Sequence, residues 1–147
     1  MRVDGRWHTF DDDRIRPVID AYVLTAAGEW VKVMFLLDAG ADRTVFDASY
    51  LSVLAPLAIP AEEAPPLGGV GGRTDSVFVQ TRLELTRDDG KPVRINGPFG
   101  VFTKMADSDV SVLGRDVTNN FDVIYSFPKQ QVTLLAPPHT FVVQLPF

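Results

Sequence analysis

The chain has 147 residues, 46% of them hydrophobic and 22% charged, which suits a soluble globular protein with one buried core and is short for two ordinary domains. No run of residues is long enough to cross a bilayer, and residues 1–10, with Arg2, Asp4, Arg6 and His8, lack the apolar centre of a secretory signal. A net charge of −5 without a basic stripe argues against nucleic acid, and zero cysteines exclude disulfides, thiolate metal sites and a cysteine nucleophile.

A soluble protein is therefore expected, with the cytoplasm favoured and export of a processed form left open. Residues 1–15 are polar and read as an N-terminal arm, extended or forming a weak edge strand. The run Asp11-Asp12-Asp13 reads as a solvated face, because consecutive side chains diverge and nothing nearby completes a calcium loop. Val18, Ile19, Tyr22 and Val23 predict a strand over 17–25, and 26–29 a turn into a second strand over 30–37. That second strand ends abruptly: Phe35-Leu36-Leu37 gives way to Asp38-Ala39-Gly40-Ala41-Asp42. Gly40 supplies the freedom for a sharp reversal, so Asp38 sits at the tip of a loop held by buried strands, where a reactive group is well positioned. The plain alternative is a turn acid beside a buried strand. Asp47 is placed to cap a short helix over 48–54 before Pro56 and Pro60 break the pattern.

A glycine-rich stretch follows, Gly68-Gly69-Val70-Gly71-Gly72. Phosphate-binding loops of this kind open a helix, but here Val77, Val79, Thr81, Leu83 and Leu85 alternate strictly and predict a strand over 74–85. The glycines then read as the tip of a β-hairpin whose backbone can approach a ligand closely. Asp88-Asp89-Gly90-Lys91 signals a turn, with short strands at 93–95 and 99–103. An alternating strand over 110–116 ends on Gly114, and a short helix over 115–121 follows. Strands are expected at 122–127 and 132–135 about a turn at 128–130, and again at 140–147. The class is all-β, a closed or partly closed barrel or sandwich with one or two short helices.

Three separated segments then line up: Asp38-Ala39-Gly40-Ala41-Asp42, the glycines from Gly68, and Val112-Leu113-Gly114-Arg115-Asp116. In this order, over roughly residues 16–135, they resemble the retropepsins, the single-domain retroviral-type aspartic proteases. The resemblance implies a retropepsin-like β-barrel domain over 16–147 with a flap hairpin. It makes Asp38 the catalytic aspartate, with Gly40, Ala41 and Asp42 in its loop. It also makes Gly68, Gly69, Val70 and Gly71 the flap tip, and assigns Val110 and Val112 to substrate side-chain pockets. Asp42 and Arg115 correspond to a structural ion pair, and Arg16, ahead of Pro17, to an arginine that reaches toward a partner's active site.

Peptide hydrolysis in that family needs two carboxylates sharing a proton, one serving as base toward water and one as acid. The chain offers one suitable aspartate, since Asp88-Asp89-Gly90 lies in a polar turn. The implied enzyme is thus a homodimeric aspartic endopeptidase acting on extended polypeptides, with Asp38 of both subunits on a two-fold axis and no metal or organic cofactor. Ala39 departs from the family pattern, which places Thr or Ser there to bond across the axis. Two other readings stay open, a catalytically impaired peptide-binding module on the same fold and a monomeric scaffold. His8 and His139 read as surface residues, and Trp7 and Trp30 as packing residues.

Overall fold

The computed structural model describes residues 1–64, 76–105 and 109–137. The expected flap tip and the strand at 140–147 lie outside the described residues, as does His139. Eleven strands among the described residues form one sheet. They are β1 (Arg2–Thr9), β2 (Ile15–Leu24), β3 (Trp30–Leu37), β4 (Val45–Phe46), β5 (Ser76–Val79) and β6 (Arg82–Thr86), then β7 (Pro92–Asn96), β8 (Phe99–Phe102), β9 (Ser111–Leu113), β10 (Asp122–Ser126) and β11 (Gln131–Leu135). The main path runs β10-β11-β1-β2-β3-β9-β4-β8-β5, with the β6–β7 hairpin attached to the far end of β2 through Tyr22↔Glu84 and Val23↔Leu83. The path does not close on itself among the described residues, so the all-β architecture is of the partly closed kind.

Alternation places the core. Val33, Phe35 and Leu37 of β3 are buried, whereas Met34 and Leu36 on the opposite face are half-buried. Phe46 packs against Phe35 at 5.3 Å between ring centroids and against Phe99 at 6.2 Å, an aromatic cluster directly behind the strands that carry the site.

Several local expectations are refined. Residues 2–9 form a strand whose two halves pair differently: Arg2 to Gly5 with β11 and Arg6 to Thr9 with β2. Gly5 sits at the changeover, where a Cβ would lie 2.4 Å from the Val18 carbonyl oxygen, and the close approach is what lets one strand serve two neighbours. The strand expected over 74–85 is two strands in the described part, β5 and β6. Val79, Thr81, Leu83 and Leu85 all stay buried around the corner, so the period of two conceals a change of partner from β8 to β2 and β7. At that corner the Thr81 hydroxyl donates to the Leu24 carbonyl at 2.6 Å.

The helix expected over 48–54 is a 3-10 turn, Ala48–Tyr50, followed by α1 (Leu51–Leu54), with the Asp47 side chain accepting from the Ser49 amide at 3.0 Å as its cap. It does not stop at Pro56, because a further 3-10 turn, Ala55–Leu57, holds that proline in its first turn, where no amide hydrogen is needed. The helix near Arg115 is the single turn α2 (Arg115–Thr118). No helix among the described residues is long and apolar enough to cross a membrane.

Candidate active site

β3 delivers Asp38 and β9 lies parallel beside it, with Leu36↔Val112 and Leu37↔Leu113 in register. The Asp38 amide donates to the Leu113 carbonyl at 3.3 Å, continuing the ladder one residue past the strand. The chain then reverses: the Ala41 amide donates to the Asp38 carbonyl at 3.1 Å, and the Gly40 amide donates to Asp38 Oδ1 at 2.9 Å. One carboxylate oxygen is pinned by backbone, and Oδ2 has no hydrogen bond among the described residues. Asp38 itself is exposed, on the face of β3 that carries Leu36 rather than the core face.

The loop is stitched to the chain after β9. The Arg115 amide donates to the Ala41 carbonyl at 2.9 Å and the Asp116 amide to the Asp42 carbonyl at 3.2 Å. The Arg115 guanidinium adds two contacts: Nη1 donates to the Ala39 carbonyl at 2.9 Å, and Nη2 forms an ion pair with Asp42 Oδ1. Both partners of that pair are about half exposed, so its value is positional more than energetic. Gly114 makes the docking sterically feasible, since a Cβ there would stand 2.4 Å from the Arg43 carbonyl carbon.

Beneath the loop is a buried network that sequence reasoning missed. The Thr44 side chain is fully buried; its hydroxyl donates to Asp116 Oδ1 at 2.7 Å and accepts from the Gly114 amide at 3.0 Å, while the Thr44 amide donates to the Asp116 carboxylate at 2.9 Å. A second pair joins β9 to the chain after β4. The Ser111 hydroxyl donates to Asp47 Oδ2 at 2.9 Å and accepts from the Asp47 amide at 3.0 Å. Small polar residues at the ends of apolar strands are the only sequence signal for either network, because the partners are 64 to 72 residues apart.

Arg16 is not part of the Asp42–Arg115 pair. It binds Asp12 through two contacts of 3.1 and 2.6 Å, which hold the Asp12 carboxyl down at about 2, and it stacks over Phe10 at 5.0 Å. Val112 is half-buried beside Leu36, and Val110 lines a cavity of about 740 Å³ together with Leu36 and Met34. Tyr125 on β10 was invisible to sequence reasoning as a neighbour of the site. Partial burial pushes its hydroxyl above the ordinary phenol range, and the negative charge of Asp38 adds to the shift, so the two lie within electrostatic reach. Tyr125 also belongs to an aromatic patch in which Trp7 meets Phe127 edge-on at 5.1 Å.

No family model matches the chain, and no curated protein matches it. Among solved structures, it is similar to a retropepsin-like aspartic protease from Rickettsia conorii, with a TM-score of 0.52 and 15% identity over 91% of this chain and 90% of that one. A further likeness is to EIAV protease in complex with an inhibitor, with a TM-score of 0.42 and 22% identity over 76% of this chain and 92% of the other. At such identities the likeness is one of fold, and the fold is retropepsin-like.

Proposed function

We propose that this retropepsin-like chain is an aspartic endopeptidase that works as a homodimer, hydrolysing peptide bonds in extended polypeptides. The observation that carries the reading is the setting of Asp38: an exposed carboxylate at the mouth of a buried strand, with Oδ1 held by the Gly40 amide and its loop clamped by the Leu113-Gly114-Arg115 segment. A carboxylate fixed on one oxygen and open on the other is suited to hold a water and take its proton.

One such carboxylate is half of the required pair, and the second comes from Asp38 of the partner subunit on a two-fold axis. Like charges a few ångströms apart cannot both ionise comfortably, so the pair shares a single proton. The protonated member donates to the substrate carbonyl while the ionised one activates the water, which favours mildly acidic pH. The substrate chain lies extended over the loop, where backbone groups hold it and side chains enter the space beside Leu36, Val110 and Val112. Gly68, Gly69, Val70 and Gly71, the flap tip in this reading, would cover it, and no metal or organic cofactor is implied.

The test is cleavage of an unstructured protein such as denatured casein between pH 4 and 7. Wild-type protein is expected to cut, a statine-type inhibitor to stop it, and Asp38→Asn to abolish turnover while leaving circular dichroism unchanged. Absence of cleavage by a purified dimer across this range sinks the reading.

A further inference from the structure

The cavity of about 740 Å³ opens off the face of β3 that carries Asp38. One wall is apolar, built from Met34, Leu36 and Val110. The rest of the lining comes from β1, β2, the turn between them and Asp109, two residues ahead of β9: the carboxylates of Asp11, Asp12 and Asp109, one guanidinium, Arg16, the imidazole of His8 and the ring of Phe10. The cavity therefore combines an apolar surface with an excess of acidic groups.

The charges do not cancel. Arg16 is spent on Asp12, which it holds in two contacts, and Asp12 in turn stays ionised far below neutral pH. Asp109 is near enough to add to the field at Arg16, yet neither it nor Asp11 has an ion-pair partner within 4 Å among the described residues. His8 Nδ1 is engaged with Arg6 Nη1 at 3.0 Å, and Arg6 is itself paired with Asp20. Two exposed carboxylates remain over an apolar floor.

We propose that this cavity selects a cationic side chain, lysine or arginine, from the polypeptide, and that Asp11 and Asp109 are the residues that set the preference. The inference rests on the protease reading and names its substrate class. A long basic side chain matches both parts of the lining, because its methylenes cover Met34, Leu36 and Val110 while its head reaches the acidic groups. A purely apolar side chain would satisfy the floor alone, and an acidic one would meet like charge. Each exposed carboxylate facing a cation is worth about a two- to fivefold preference, and salt weakens it.

The experiment uses acetylated decapeptides of one sequence in which Lys, Met or Glu is scanned through every position. Binding to the Asp38→Asn protein is followed by fluorescence anisotropy at pH 7, and cleavage by the wild type is followed in parallel. At one position Lys is expected to bind about fivefold tighter than Met and more than about tenfold tighter than Glu. Asp109→Asn and Asp11→Asn should each shrink that preference, and Asp109→Lys should turn it toward Glu, all with unchanged circular dichroism. The proposal is overturned if no peptide binds, if no position prefers Lys, or if the preference survives both asparagine substitutions. It is equally overturned if those substitutions change only dimerisation, which would make the cavity a contact between copies. A lysine preference in binding without any cleavage would remove the proposed reaction and leave the cavity's role standing. Cleavage indifferent to lysine would do the reverse.

Discussion

Thr44 shows how much of the candidate site depends on one hydroxyl. It donates to Asp116 and accepts from the Gly114 amide, so from a fully buried position it joins the loop of Asp38 to the chain beyond β9. Thr44→Val keeps the shape and removes both bonds, leaving a buried amide without an acceptor. The expected loss is about 2–4 kcal/mol in denaturant unfolding. Thr118→Val is the control, since its hydroxyl only back-bonds to the Gly114 carbonyl one turn earlier at 3.2 Å, and less than about 1 kcal/mol is expected there. Equal losses in the two variants would show that burial of the network does not govern its strength.

At the scale of elements, the site is two loop-bearing strands held side by side, and Gly114 is where they come closest. A methyl group at that position meets backbone, not a side chain that can turn away. Gly114→Ala should therefore force the two loops apart, destabilise the fold by roughly 1–3 kcal/mol and lower any Asp38-dependent cleavage, measured by thermal melting and peptide turnover. A variant that melts like the wild type would show that the loops separate at no cost. This part of the molecule was readable from sequence, because an apolar run stopping at Asp38 and another stopping at Gly114 mark strand ends without knowledge of their partners. The strand pairing was less legible. β1 looked peripheral because its polar residues outnumber Val3 and Trp7, yet it links two neighbours, pairing with β11 through its first half and with β2 through its second. The corner at Gln80 and Thr81 left no trace in an alternation that runs straight through it. Tyr125 could not be linked to Asp38 at all, since that proximity comes from the order of whole strands across the sheet.

For the whole molecule, the proposed dimer turns on Ala39. Its carbonyl is occupied by Arg115, and its exposed methyl offers nothing to a partner subunit. Ala39→Thr would supply a hydroxyl on both sides of the axis. Two added bonds at a net ~0.5–1.5 kcal/mol each are expected to lower the dimer dissociation constant about tenfold or more in sedimentation equilibrium. An unchanged constant would show that the subunits do not meet through this position. The span of the contacts around Asp38 has a bearing on how the protein is made. Thr44 meets Asp116 across 72 residues and Ala39 meets Arg115 across 76, so the aspartate's setting is closed by segments distant in the chain. Contacts of this kind form late, after the entropy of the intervening loop has been overcome. A nascent chain carries its aspartate early but lacks the clamp until the Gly114-Arg115-Asp116 segment has left the ribosome, so the setting of Asp38 is assembled only once most of the chain has been made.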